Sequence, residues 1–221
     1  MDIQTIIFDL DGTLLNTLDD LHACFNRAIA KYGYPERSLE EIKSFVGNGI
    51  NKAIERALPY KIDEQEFSEI VNCFRNDYKE HMFELTQPYN GIIEMLKELK
   101  SKNYKIGVVS NKYDIAVKNL CKHYFSEYID IAIGESKEIQ KKPSVDGIYK
   151  AIEELNSSIE NTIYIGDSDV DILTAKNANV PCISVLWGFR DKEFLIKHNG
   201  TNFAEEPKDI IKIIEKKLYL R

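Results

Sequence analysis

No stretch of this chain is apolar for long enough to cross a bilayer. The longest nearly apolar run, residues 180–189, is about half the length a membrane-spanning helix needs. Base is also in short supply. Against 36 Asp and Glu stand 29 Lys and Arg, a formal net charge of −7, and no segment gathers enough of them to follow a nucleic-acid backbone. A nucleic acid is therefore a poor candidate partner. The four cysteines, Cys24, Cys73, Cys121 and Cys182, are widely separated and share no metal-ligand spacing with the four histidines, which argues against a zinc site. The first residues lack the charged start and apolar stretch of a secretory signal, so a reduced, cytoplasmic setting is expected. With 11 Gly and 6 Pro, no fixed-period repeat and no low-complexity tract, collagenous and disordered classes are excluded too.

What remains is a soluble globular composition, 43% hydrophobic and 29% charged, over 221 residues. That length suits one core domain carrying an insertion. Residues 3–8, 104–109, 129–133, 162–165 and 182–186 are short apolar, β-branched runs that each empty into a polar or glycine-containing loop, as buried strands do. Helical periodicity lies between them: Ile92, Ile93, Met95, Leu96 and Leu99; Ile115, Val117 and Leu120; Ile148, Ala151, Ile152 and Leu155. The basic stretch 208–217 alternates with Ile and Leu and reads as the solvated face of a last helix. Alternation of strand and helix predicts an α/β fold, a parallel Rossmann-like sheet whose ligand site lies at the carboxyl ends of its strands. Residues 17–86 break the alternation with helices at roughly 18–32, 39–46, 50–58 and 64–83. The expected organisation is thus a core of residues 1–16 and 87–221 with an inserted helical domain at 17–86.

Four polar clusters fall at strand ends. Asp9-Leu10-Asp11-Gly12-Thr13 follows the first strand, and extended backbone points the two carboxylates the same way. Close carboxylates repel unless a cation or a shared proton relieves them, and such pairing separates a nucleophile from a general acid in enzymes. Taken singly, the other three clusters have plain structural readings. Ser110-Asn111-Lys112 could cap a helix, Lys141-Lys142-Pro143 could be a solvated loop with Pro143 in the first turn of a helix, and Asp167, Asp169 and Asp171 could favour a helix dipole. Gly47-Asn48-Gly49 lacks the third glycine and preceding strand of a nucleotide fingerprint; it either joins two helices or contacts substrate.

In this order, the four clusters resemble the motifs of the haloacid dehalogenase-like superfamily, most of whose members are magnesium-dependent phosphohydrolases. Residues 45–58 and 178–190 are similar to its phosphoglycolate phosphatase branch, although Asn179 and Ser184 stand where that branch often has Gly. The resemblance implies that the insertion is a C1 cap, that Asp9 attacks phosphorus and that Asp11 is the general acid and base. It further implies that Ser110, Asn111 and Lys142 bind the phosphoryl oxygens. Mg2+ would be held by Asp9, the Asp11 main-chain carbonyl and Asp167, with Asp171 behind them and Asp169 a helix N-terminal acid. Asn48, Lys52 and Arg56 are the expected cap contacts, and the expected partner is a small phosphorylated metabolite met by a monomer or weak homodimer.

Other readings stay open at this point. A β-phosphoglucomutase-like mutase shares the paired aspartates and the cap but usually carries an acid where this chain has Gly166. A pyrophosphatase would use the same phosphoryl end, and a non-catalytic binding module would keep only the fold. A dehalogenase would not need Asp11 as a leaving-group acid.

Overall fold

The first apolar run becomes a strand buried on both faces, and its place in the sheet explains why it carries no alternation. In the computed structural model, which describes residues 3–217, β1 (Thr5–Phe8) lies inside a six-stranded parallel sheet and is buried at all four positions. Helices cover both faces of such sheets, so an inner strand has no solvent side to mark.

After β1 the chain passes through the short β2 (Leu15–Asn16) into α1 (Leu18–Ala30), α2 (Leu39–Phe45), α3 (Ile50–Ala57) and α4 (Glu64–His81), and returns through β3 (Gln87–Pro88), which pairs with β2. It then alternates: α5 (Ile92–Ser101), β4 (Lys105–Tyr113), α6 (Asp114–Phe125), β5 (Ile131–Glu135), α7 (Asp146–Glu154), β6 (Thr162–Gly166), α8 (Asp169–Asn177), β7 (Cys182–Val185), α9 (Lys192–Lys197), β8 (Phe203–Ala204) and α10 (Pro207–Glu215). Two compact units result, one of the residues up to 15 together with those from 88 onward, the other Asn16–Gln87. The outer limits expected for the core, 1 and 221, lie outside the described residues.

In the first unit the strand order is β5-β4-β1-β6-β7-β8. The chain fills one side of β1 and then the other, so β1 sits where the winding reverses. Right-handed crossovers then put α5 and α6 on one face and α7 and α8 on the opposite one. On the second face Ile7, Val109, Ile133 and Tyr164 pack with Ile148, Ala151 and Ile152 of α7 and Ala175 of α8. Register pairs Phe8 with Val108 on one side and with Ile165 on the other. The polar residues beyond these positions therefore gather at one edge of the sheet, at the reversal where ligands bind in folds of this kind.

Four local features differ from the sequence reading. The second long run extends to Tyr113 as part of β4, with its register shifted between Val109 and Tyr113, because Tyr113 regains pairing with Glu135 beyond the irregularity. Pro143 precedes α7 by three residues, so it is not in the helix's first turn. Ile115 is exposed, since Ala116, Val117 and Leu120 set the inward face of α6. The edge strand β8 is two residues long, too short for periodicity to register. Asn179 takes φ +56°, the left-handed conformation that asparagine tolerates better than most residues.

The second unit is held by aromatic packing of α1 on α4, with the Phe25 and Phe74 rings 4.7 Å apart at their centroids. Its ends are tied by a buried carboxylate. Asp20 in α1 accepts from the Leu85 and Thr86 amides, each at 2.9 Å, and from the Thr86 hydroxyl at 2.7 Å. Ser38 and Glu41 form a reciprocal cap at the start of α2. Gly47 and Gly49, with φ of +109° and +83°, make the turn from α2 to α3, so the glycine pair has the helix-joining role.

Candidate active site

Asp9 is the first residue beyond β1, anchored by its own amide, which donates to the Ile165 carbonyl at 2.8 Å. Its Oδ1 accepts the Leu10 amide at 2.7 Å and lies 2.9 Å from the Lys142 ammonium. That ammonium also meets Asp171 Oδ1 at 2.7 Å and the Tyr164 hydroxyl at 3.0 Å. Lys142 is buried while its neighbour Lys141 is exposed, so only one of the two sequence lysines enters the site. The backbone of Lys142 is held by Asn111: its amide donates to Asn111 Oδ1 at 2.6 Å, and Asn111 Nδ2 donates to its carbonyl at 3.1 Å. The Asn111 side chain therefore sets the position of the lysine.

Asp171 lies in the first turn of α8 and is fully buried. Its Oδ2 accepts the amide and hydroxyl of Ser168 at 3.0 and 2.6 Å, while Oδ1 receives Lys142 and the Tyr164 hydroxyl. Both oxygens are thus engaged by protein groups, although the single proton of the Tyr164 hydroxyl lies as close to the Val109 carbonyl, at 3.1 Å. Asp167 is held differently. Its Oδ2 accepts the Phe189 amide at 2.7 Å, and the Thr13 hydroxyl lies 3.4 Å from Oδ1. A Cβ on Gly12, which has φ +81°, would come within 2.4 Å of Asp167 Oδ2, and one on Gly188 within 2.3 Å of Asp167 Cβ. Side chains at those two positions would displace the carboxylate. Asp169 is the first residue of α8, half-buried, where an acid favours the helix dipole.

Asp11 is met by Lys112, whose ammonium lies 2.9 Å from each carboxylate oxygen. The sequence reading gave Lys112 no role of its own. Ser110 is buried beside it at the shifted stretch of β4, with its hydroxyl 3.4 Å from the Lys112 amide.

Electrostatically the site is acid-rich for its depth. Asp9, Asp167 and Asp171 each bring a carboxylate oxygen within 4.8 Å of the others, and all three are buried. Burial pushes the Asp9 carboxyl up to about 7, with Lys142 opposing the shift and Asp171 adding to it. Burial likewise raises Asp167 to about 8, helped by the charges of Asp171 and Asp9. Burial works against the Lys142 ammonium, yet Asp171 and Asp9 outweigh it and hold its pKa above the ordinary lysine value. One ammonium among three carboxylates leaves negative charge in excess, and the donors are hard oxygens. This set fits a divalent cation. Asp171 has both oxygens engaged by Lys142 and Ser168, which leaves Asp9 and Asp167 the carboxylates better placed to take it directly.

The remaining expected residues lie in the Asn16–Gln87 unit. Asn48 is half-buried in the turn between α2 and α3. Lys52 is exposed and pairs with Glu55 at 2.7 Å, and Arg56 donates to the Phe45 carbonyl at 2.9 Å. Sequence reasoning missed Thr13, Lys112, Tyr164 and Ser168 as site residues. Lys112 and Ser168 flank an assigned motif residue and Thr13 ends the first cluster, which is the signal that was available; Tyr164 looked like one more apolar strand position.

The sequence profile of the family described as haloacid dehalogenase-like hydrolase matches residues 6–185. Among curated proteins, the phosphoglycolate phosphatase of Aquifex aeolicus (strain VF5) is 31% identical over 217 residues, covering 96% of this chain and 97% of that protein. Pyrophosphatase PpaX of Bacillus mycoides (strain KBAB4) is 28% identical, covering 98% of this chain and 99% of its own length. Among solved structures, one from Lactobacillus delbrueckii subsp. bulgaricus, provisionally named a phosphoglycolate phosphatase, superposes with a TM-score of 0.92 at 32% identity, covering 97% of this chain and 99% of that one.

Proposed function

The chain belongs to the haloacid dehalogenase-like hydrolase family, and from that membership we propose that it is a magnesium-dependent phosphatase acting on a small phosphomonoester through an aspartyl-phosphate. The names carried by its relatives make phosphoglycolate the first substrate to test and pyrophosphate the second. The observation that carries the reading is the buried Asp9 carboxylate at the sheet's winding reversal, 2.9 Å from a buried lysine and grouped with two further buried aspartates.

In this scheme Asp9, oriented by the Leu10 amide and Lys142, attacks phosphorus in line. An Asp9–phosphorus bond forms as the bond to the leaving oxygen breaks. Asp11 gives its proton to that oxygen, then takes one from the water that attacks the aspartyl-phosphate and frees Asp9. Lys142, the Ser110 hydroxyl and the Asn111 amide bind the equatorial oxygens, where charge gathers in the transition state. Magnesium held by Asp9, Asp167 and the Asp11 main-chain carbonyl would supply the positive charge that lets a carboxylate approach an anionic phosphoryl group.

The mutase alternative expects an acid at position 166. A Cβ there would lie 2.2 Å from the Asp171 carboxyl carbon, so an acidic side chain has no room, which supports hydrolysis over isomerisation. The Asn16–Gln87 unit is the proposed cap, with Asn48, Lys52 and Arg56 as candidate specificity residues. A cytoplasmic setting belongs to the same reading, in keeping with four free cysteines and with no described helix long and apolar enough to cross a membrane.

The test is phosphate release from a panel of phosphomonoesters with pyrophosphate alongside, each with magnesium and with chelator. Metal-dependent release is expected, strongest on one compound. Asp9→Asn should lower turnover by at least about a thousandfold while leaving the circular dichroism spectrum unchanged. Turnover retained in that variant would remove Asp9 from the nucleophile's role.

A further inference from the structure

A lysine ammonium has three N–H donors, and those of Lys142 meet three oxygens. Asp171 Oδ1 lies 2.7 Å from it, Asp9 Oδ1 2.9 Å and the Tyr164 hydroxyl 3.0 Å, around a side chain only 3% exposed. The donors are therefore all committed in the free protein, and none is left for a phosphoryl oxygen.

One of the three oxygens has to give way when a phosphoryl group reaches Lys142. The two carboxylates are poorly suited to do so. Asp171 is fully buried and fixed at its other oxygen by Ser168, and Asp9 is buried as well. Taking the ammonium away from a buried carboxylate strands its charge. Tyr164 is neutral, so its release forfeits only an ordinary hydrogen bond. Its hydroxyl also has partners to fall back on, since the Val109 carbonyl and Asp171 Oδ1 each lie 3.1 Å from it.

We propose that Tyr164 is a positioning residue acting through Lys142: its hydroxyl takes the place of a phosphoryl oxygen in the free protein and yields the third N–H when the phosphoryl group binds. The buried ammonium is thereby fully partnered in both states. The hydroxyl keeps the empty site in order and, because it must be displaced, weakens phosphoryl binding. The proposal rests on the reading of Lys142 as a ligand of the phosphoryl group.

The probe is inorganic phosphate, titrated calorimetrically into the full chain with saturating magnesium, for wild-type protein and for Tyr164→Phe. The variant keeps the ring and removes only the oxygen, so its ammonium lacks a third acceptor until phosphate supplies one. Phosphate should bind the variant about two- to tenfold more tightly, the range for one hydrogen bond no longer given up. KM for the best phosphomonoester should fall by a similar factor, with no matching rise in kcat. A hydroxyl with a merely structural role would leave phosphate binding unchanged or weaker on removal, and either result overturns the proposal. Should Tyr164→Phe fail to fold, a crystal structure of wild-type protein with phosphate and magnesium decides. A phosphoryl oxygen should then sit on Lys142, with the Tyr164 hydroxyl beyond about 3.5 Å from the ammonium, outside hydrogen-bond reach. Phosphate on Lys142 with the hydroxyl still at 3.0 Å overturns this proposal alone. Phosphate bound away from Lys142, or not bound at all, defeats the phosphoryl-binding role of the lysine, and this proposal with it.

Discussion

Four donors from three parts of the chain meet on the single carboxylate of Asp171. The Ser168 amide and hydroxyl are local to the start of α8; Tyr164 comes from β6 and Lys142 from the loop ahead of α7. One residue thus caps the start of a helix and holds the lysine of the site. Lys142 is the reciprocal case, a buried ammonium between Asp9 and Asp171 that partly balances three clustered acids. Removing one partner of a buried pair strands the other's charge. Lys142→Met should therefore cost about 3–5 kcal/mol in a urea titration of metal-free protein at pH 8. The loss should be smaller at pH 5, where Asp9 and Asp167, both raised by burial, are protonated. An equal cost at both pH values would mean that packing, rather than charge, accounts for it. At this scale the sequence was informative about residue type and poor about partners. Asp9, Lys142 and Asp167 stood out by position, whereas the Lys112–Asp11 pair, joining residues 101 apart, had no local signature.

Among the elements, the buried hydrogen-bonding tie of the Asn16–Gln87 unit falls to Asp20. Its carboxylate joins the first turn of α1 to the amides of Leu85 and Thr86, the segment leading into β3, and is 2% exposed. Asp20→Ala would leave the Thr86 amide and hydroxyl buried without this acceptor. A loss on the order of 3 kcal/mol is expected, read as a lower thermal midpoint, and Asp20→Asn should restore part of it. Element identity was legible wherever periodicity ran long enough. The four helices of this unit and the five longer strands of the sheet begin within two residues of where hydrophobic spacing places them, because burial on one face or both imposes a period. The extension of β4 through Ser110–Tyr113 was not legible. Polar residues there read as a loop, and only pairing with Glu135 of β5 keeps them in the strand.

For the whole molecule, the raised carboxyls carry a pH dependence with a definite sign. In the unfolded chain Asp titrates near 3.8, but in the fold Asp9 titrates at about 7 and Asp167 at about 8. Between those values the native state holds protons that the unfolded state has released. Stability from this pair therefore falls as pH rises from about 4 to about 8. Metal-free protein should show that decline in thermal midpoint. Magnesium should oppose it, raising the midpoint more at pH 8 than at pH 6, since a cation must displace those protons to bind. A magnesium shift independent of pH would argue that these two carboxylates are not its ligands.

Hydrophobic spacing alone determined that this chain is an α/β protein with a helical interruption, and that its acids and lysines gather at the ends of strands, because periods of two and 3.6 residues are local properties. Tertiary structure decided who partners whom. Parallel register beside β1 and the reversal of winding there bring together residues 9, 111, 142, 164 and 171, so that Lys142 is enclosed by Asp9 and Asp171, while Lys112 clasps Asp11. No spacing along the chain encodes those pairings. They arise from burial, which forces each charge to find a partner across the sheet rather than along it.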